Sequence, residues 1–151
     1  MTTTTKTYTG GCHCGFLRYS VELDLTDAVG GKCNCSACLS RGILILDILP
    51  PSRFKLQSPH SLDDPQLGKY SPRGESGTFH FYFCKNCGVN CFYQEAYKMK
   101  GNHPEWLRLN ALSLDADQGL DFTKFKMEYW DGKNNNWNAG PKDVPYPGGS
   151  F

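Results

Sequence analysis

Seven of the eight cysteines stand in three short groups, and their spacing limits the possible folds more than any other feature of the sequence. The groups are a C-x-C, a C-x-C-x-x-C and a C-x-x-C, formed by Cys12 and Cys14, by Cys33, Cys35 and Cys38, and by Cys84 and Cys87. A closed zinc site takes four ligands, whereas a catalytic zinc has three protein ligands and one open position. Seven sulfurs therefore divide most simply into one structural zinc and one open zinc.

The C-x-x-C group has the form of a zinc knuckle. Gly88 follows its second cysteine, and glycine allows the positive φ that such turns often need. Paired with Cys12 and Cys14, Cys84 and Cys87 would complete a closed four-thiolate site. A lone C-x-x-C is also compatible with a redox pair, and eight cysteines with a disulfide framework. The grouping of the other thiols at ligand-like spacing favours zinc over a redox pair, and the sequence shows no secretory signal that would support disulfides.

Cys33, Cys35 and Cys38 remain as a compact three-ligand set. Three thiolates around Zn²⁺ leave a soft centre with a net charge of minus one. Such a centre should acidify bound water less than a site with three neutral histidines, so hydrolysis through zinc hydroxide is not the first expectation. A soft ligand such as a substrate thiol, held as thiolate, suits this centre better. The residue types therefore indicate thiol chemistry.

Cys91 is the eighth thiol and leaves two alternatives open. As a fourth ligand it would close the second site and make that site structural. Free cysteines are more often small buried residues, and that interpretation is preferred.

Three residues next to the open site are candidates for orienting a substrate: Asn34, Ser36 and Arg41. A guanidinium suits a carboxylate, although Arg41 is equally well explained as a solvated surface residue. The histidines are not expected to be catalytic; they are His13, His60, His80 and His103.

Length and charge exclude several other classes of protein. A chain of 151 residues is expected to form one domain, with a core over residues 8–130 and an irregular C-terminal wrap over 131–151. Sixteen basic and fifteen acidic residues give a net charge of +1 without a basic block, so a nucleic-acid partner is not expected. No signal peptide or membrane span is apparent, since the longest apolar run is residues 43–46. A cytoplasmic protein with reduced thiols is expected.

The rest of the pattern predicts a mainly β domain of short strands. Strands are expected at 16–23, 42–49, 54–57, 78–83, 90–94, 106–112 and 125–130, with a surface excursion over 58–73. Tyr19, Val21 and Leu23 alternate and should share one buried face. One helical turn is plausible over 36–41, and no helix of three turns is expected.

The three cysteine blocks resemble those of a known family. GGCHCG at 10–15, CNCSAC at 33–38 and FCKNCG at 83–88 look like the signatures of the glutathione-dependent formaldehyde-activating enzyme family, which includes centromere protein V-type proteins. The resemblance covers roughly residues 8–130. The middle block of the family often has histidine where this chain has Asn34.

The resemblance implies an Mss4-like, zinc-containing β-sandwich or barrel of short antiparallel strands with two zinc ions. It implies structural zinc on Cys12, Cys14, Cys84 and Cys87, and a catalytic zinc, with glutathione as co-substrate, on Cys33, Cys35 and Cys38. The implied activity is that of a carbon–sulfur lyase, which interconverts glutathione plus formaldehyde with S-hydroxymethylglutathione. Two alternatives stay open: a different substrate in secondary metabolism, or a non-catalytic zinc scaffold that binds a protein.

Overall fold

The protein is mainly β. The computed structural model describes residues 4–74, 79–94, 99–100 and 103–151. The strands in this part of the chain are β1 (Lys6–Gly11), β2 (Arg18–Leu23), β3 (Val29–Cys33), β4 (Ile45–Asp47), β5 (Phe54–Ser58), β6 (Leu67–Tyr70), β7 (His80–Cys84), β8 (Asn90–Gln94), β9 (Met99–Lys100), β10 (His103–Pro104), β11 (Leu107–Asn110) and β12 (Lys126–Trp130). One α-helix, α1, spans Ser36–Arg41. Short 3-10 turns occupy Pro51–Arg53, Ala111–Ser113, Ala116–Gln118, Phe122–Lys124, Gly132–Asn134 and Trp137–Ala139.

The larger strands form two sheets. One has the order β1-β2-β5, and the other has the order β12-β3-β4-β11-β8-β7-β6; β9 and β10 pair separately. Among the described strands only β3 and β12 run parallel, with Trp130 opposite Cys33. This pair departs from the expectation of antiparallel strands throughout. A parallel pair needs a long connection, and most of the chain lies between these two strands.

Aromatic rings join the two sheets. The ring of Phe54 in β5 lies 5.2 Å from Tyr19 in β2 and 4.8 Å from Phe92 in β8, measured between centroids. The predicted inner face of β2 is confirmed, because Tyr19, Val21 and Leu23 are all buried. The core therefore lies between the sheets, and both contribute to one hydrophobic cluster.

The helical turn predicted over 36–41 is confirmed as α1. The Cys35 sulfur accepts a hydrogen bond from the Cys38 backbone N–H at the start of the helix, at 3.4 Å. Gly42 ends the helix in the left-handed conformation, with φ of 59°. In the described part of the chain no helix has the length and apolar character needed to cross a membrane.

The strand predicted over 42–49 is shorter than expected. Only Ile45–Asp47 forms β4, although Ile43 and Leu44 are buried. The backbone N–H of Ile43 donates to the Cys38 carbonyl at 3.4 Å, and that of Leu44 donates to the Asn110 side chain at 3.2 Å. These partners take the place of a neighbouring strand, so the segment is buried without belonging to the sheet.

The surface excursion predicted over 58–73 was partly wrong, because it contains β6. β6 pairs with β7, and Leu67 and Gly68 are buried in it. A Cβ at Gly68 would lie 2.3 Å from the ring of Phe83, so only glycine lets the two strands approach this closely. Glycine in a strand pattern is usually read as a break, which explains the error.

We expect the centre of the large sheet to be sensitive to truncation. Leu109→Ala in β11, a fully buried position, should lower the free energy of unfolding by about 2–5 kcal/mol through lost burial and an internal cavity. Leu112→Ala is the matched control, because Leu112 is 52% exposed. Denaturant unfolding of the metal-replete proteins measures both. Equal effects of the two substitutions would contradict the assigned core.

Candidate metal centres

Four sulfurs meet between the two sheets. Cys12 and Cys14 follow β1, while Cys84 ends β7 and Cys87 lies in the turn leading to β8. Their Sγ atoms all lie within 4.8 Å of one another. Gly15 and Gly88 adopt φ values of 88° and 81°, which let both turns fold back sharply. The sequence grouped these four cysteines, and the structure brings them together.

The distances in this group suit a tetrahedral metal site. Cys14 Sγ lies 3.6 Å from Cys12 Sγ and 3.5 Å from Cys84 Sγ. Zinc–sulfur bonds of about 2.3 Å in a tetrahedron place neighbouring sulfurs about 3.8 Å apart. A side-chain hydrogen bond from Asn86, followed by one from the Phe16 backbone, lowers the pKa of Cys14 to about 6. The Cys14 thiol therefore ionises readily, and the four sulfurs together can hold a metal ion.

The second group is local to one loop, residues 33–38, which we call the 33–38 loop. Cys33 ends β3, Cys35 caps α1, and Cys38 lies in the first turn of α1. Their Sγ atoms also lie within 4.8 Å of one another. Cys33 and Cys38 are buried, whereas Cys35 is partly exposed.

Hydrogen bonds within the 33–38 loop favour one thiolate first. The Cys33 and Cys38 thiols, together with backbone N–H groups, lower the pKa of Cys35 to about 2. The same contacts raise the pKa values of Cys33 and Cys38. The backbone N–H of Cys35 also points at Cys33 Sγ, at 3.5 Å. Three sulfurs converging with N–H donors are a suitable donor set for a soft metal such as zinc.

In the described part of the chain, the three-sulfur group gains no fourth cysteine, histidine or carboxylate. Cys91 belongs to neither group; it is fully buried in the core, and burial raises its pKa to about 12. This location agrees with the interpretation of Cys91 as a small buried residue.

Two of the three predicted substrate-orienting residues, Asn34 and Arg41, make local contacts within the fold. Arg41 donates to the Ala37 carbonyl at 2.9 Å, and its guanidinium lies over the rings of Phe81 and Tyr70 at 4.6 and 4.7 Å. Asn34 is 4% exposed and has hydrogen-bond partners at both ends of its amide, while Ser36 is exposed.

Among the described side chains, no histidine joins either sulfur group, although His13 stands between Cys12 and Cys14 in the sequence. His13 and His60 are exposed, and buried His80 hydrogen-bonds Ser71. The side chain of His103 lies outside the described part of the chain.

Sequence reasoning missed two residues that the structure places against the 33–38 loop. Asp131 accepts a hydrogen bond from the Asn34 side chain at 2.8 Å. Gly132 lies so close to Cys33 that a Cβ there would be 2.4 Å from Cys33 Sγ. Both directly follow β12, whose parallel pairing with β3 could not be predicted from the sequence. They begin residues 131–151, which we call the C-terminal segment.

A shallow groove, with no enclosed space for a water-sized molecule, lies between the C-terminal segment and the strands beside Cys33. Lys32, Cys33 and Tyr129 line the strand side, and Tyr146, Gly149 and Ser150 line the other. The groove marks where the C-terminal segment packs against one ligand of the three-sulfur group.

These features define a β protein with two thiolate groups of metal-binding form. The sequence model of the glutathione-dependent formaldehyde-activating enzyme family matches residues 7–130, which is most of the chain. The protein therefore belongs to this family, and its mainly β fold is of the Mss4-like type.

A solved structure supports the fold independently. The crystal structure of a Rhodobacter sphaeroides protein, a structural-genomics target, superposes with a TM-score of 0.58 at 24% identity. The match covers 81% of this chain and 98% of the other. At this identity the likeness concerns the fold alone.

We expect single cysteine substitutions to separate the two groups. Cys84→Ser should remove the metal of the four-sulfur group and destabilise the whole fold, because binding energy at a structural zinc site is folding energy. Cys35→Ser should remove one metal and leave a folded protein. Metal analysis together with thermal unfolding measures both effects. Cys91→Ala is the control, and loss of a metal in that variant would contradict the assignment.

Gly132→Ala should disturb the 33–38 loop without touching the four-sulfur group. The added methyl would overlap Cys33 Sγ and also lie 2.8 Å from the Trp137 ring, so the loop or the C-terminal segment must move. We expect weaker retention of the second metal ion under chelator challenge. Gly119→Ala is the control, because a Cβ there meets nothing within 4 Å, although its φ of 73° adds some strain. Unchanged retention in Gly132→Ala would contradict the close packing.

Proposed function

We propose that the protein is a zinc-dependent enzyme of the carbon–sulfur lyase type, acting on glutathione and formaldehyde. The observation that carries this proposal is the three-sulfur group, which gains no fourth ligand from the described residues, in a chain of this family. Three protein ligands and one open position are the arrangement of a catalytic zinc. The four-sulfur group would hold a structural zinc.

A zinc ion held by Cys33, Cys35 and Cys38 would supply a soft Lewis acid that keeps a substrate thiol ionised. In the reaction, the thiol sulfur attacks the carbonyl carbon and a carbon–sulfur bond forms. The carbonyl oxygen takes up the proton that the thiol lost, so the product is S-hydroxymethylglutathione; the reverse reaction releases formaldehyde.

The residues of the protein would position the sulfur ligands and keep water away from them. The backbone N–H groups of Cys35 and Cys38 orient the sulfurs of the 33–38 loop. Burial of Cys33 and Cys38 keeps solvent away from two of the three ligands.

The proposal also covers the cellular location of the protein and its domain organisation. Eight free thiols suit a reducing compartment, and we propose the cytoplasm. The hydrophobic cluster shared by both sheets supports a single domain. Backbone hydrogen bonds between Tyr129 and Lys142 support a C-terminal segment that packs against β12.

The first test is NMR exchange spectroscopy on glutathione, formaldehyde and metal-replete protein. The condensation also proceeds uncatalysed, so the expected result is faster interconversion rather than new product. Cys35→Ser should abolish the acceleration while the fold persists, and Cys91→Ala should retain it. No acceleration with two zinc ions bound would reject formaldehyde chemistry and favour a different substrate. Metal spectroscopy showing four protein sulfurs at both ions, unchanged by added thiols, would instead favour a scaffold.

A further inference from the structure

The 33–38 loop and the start of the C-terminal segment hold each other at several points. β3 and β12 pair in parallel up to Cys33 and Trp130, and the backbone N–H of Asn34 donates to the Trp130 carbonyl at 3.2 Å. The two segments that follow β3 and β12 therefore leave the sheet side by side. One carries the metal-binding sulfurs, and the other carries Asp131.

The Asn34 side chain bridges these two segments. Its Nδ2 donates to Asp131 Oδ1 at 2.8 Å, and its Oδ1 accepts from the Lys133 backbone N–H at 2.9 Å. An amide has a donor end and an acceptor end, and here both ends are used on the same partner segment. Because Asn34 stands between Cys33 and Cys35, this bridge fixes the backbone that sets the separation of two sulfurs.

Asp131 is buried and held in place by several hydrogen bonds. It is 6% exposed, and it also accepts from Asn134 Nδ2 at 3.1 Å to each carboxylate oxygen and from Asn136 Nδ2 at 3.5 Å. A buried carboxylate is unfavourable unless hydrogen bonds compensate for lost hydration, and these donors provide them. The carboxylate thereby organises the tight turn at residues 131–136 and presents one oxygen to Asn34.

Gly132 connects this turn directly to a metal-binding sulfur. Its backbone packs against Cys33 Sγ closely enough that no side chain fits between them. Movement of the turn would therefore reach Cys33 through van der Waals contact as well as through Asn34.

We propose that Asp131 is a positioning residue which, acting through Asn34, holds the 33–38 loop in its metal-binding geometry and makes the C-terminal segment part of the second metal site. This inference rests on the proposed metal at the three-sulfur group. Outer partners that orient metal ligands typically contribute about 10–100-fold to metal affinity. The four-sulfur group lies elsewhere in the fold, and its affinity should not depend on Asp131.

The test compares metal affinity at the two groups within one protein. Asp131→Ala, Asn34→Ala and the double variant compete with a chromophoric chelator for zinc, and Cys35→Ser identifies the signal of the four-sulfur group. We expect about 10–100-fold weaker binding at the three-sulfur group in each variant, with the four-sulfur group unchanged. The double variant should bind zinc at the three-sulfur group only slightly less tightly than the single variant with the lower affinity. The reason is that the two substitutions remove the same bridge.

Two further variants separate positioning from charge and from misfolding. Asp143→Ala removes an exposed carboxylate of the same segment and should leave both affinities unchanged. Asp131→Asn keeps an acceptor for Asn34 and should recover part of the affinity. Cobalt substitution reports the thiolate geometry at the second group, which should change in Asp131→Ala and less in Asp131→Asn. Retained metal at the four-sulfur group shows that a variant has folded.

Several outcomes would overturn the inference. The inference would be rejected if Asp131→Ala bound zinc at the three-sulfur group with wild-type affinity. It would also be rejected if the effects of the two single variants were additive, or if Asp143→Ala lost as much affinity as Asp131→Ala. If the unmutated protein binds only one zinc, the metal assignment under the proposed function is wrong and the inference fails with it. If the unmutated protein binds two and the variants keep both, only the inference fails.

Discussion

The convergence of four sulfurs from two distant turns is the constraint on which the rest of the fold depends. Cys14 and Cys84 are 70 residues apart in sequence, yet their sulfurs lie 3.5 Å apart. Closing a loop of this length is entropically unfavourable, and a structural zinc would offset that entropic cost with binding energy of order 10 kcal/mol. Because one pair follows β1 in the small sheet and the other ends β7 in the large sheet, a metal here would join the two layers of the core.

The three-sulfur group has the opposite relation to the fold. Its sulfurs are close in sequence, so they need no long-range closure to meet. Their fine geometry nevertheless depends on distant residues, since Asn34 bonds to Asp131, 97 positions away. The four-sulfur group thus helps to form the fold, whereas the three-sulfur group is shaped by it. This difference explains why substitutions in the C-terminal segment should affect one group and spare the other.

The sequence predicted what is encoded locally. Alternation in β2, the helical turn at α1 and the grouping of the cysteines all follow from spacing within a few residues. Features that depend on a partner were missed or misjudged. β6 contains a glycine needed only because Phe83 lies against it, and the segment before β4 bonds to the Asn110 side chain rather than to the backbone of a strand. Asp131 carried no recognisable signal, because its partner becomes apparent only once β12 lies beside β3.

Family membership determines the function of this protein only in part. The seven cysteines are sufficient to indicate metal-binding sulfurs, but catalysis depends on whether the second ion keeps an open coordination position. That position would be set by what surrounds the 33–38 loop, which here includes a buried carboxylate and a glycine in contact with Cys33. Function resides in the site rather than in the fold. Two chains with identical cysteine spacing could therefore differ in substrate through residues that no cysteine motif contains.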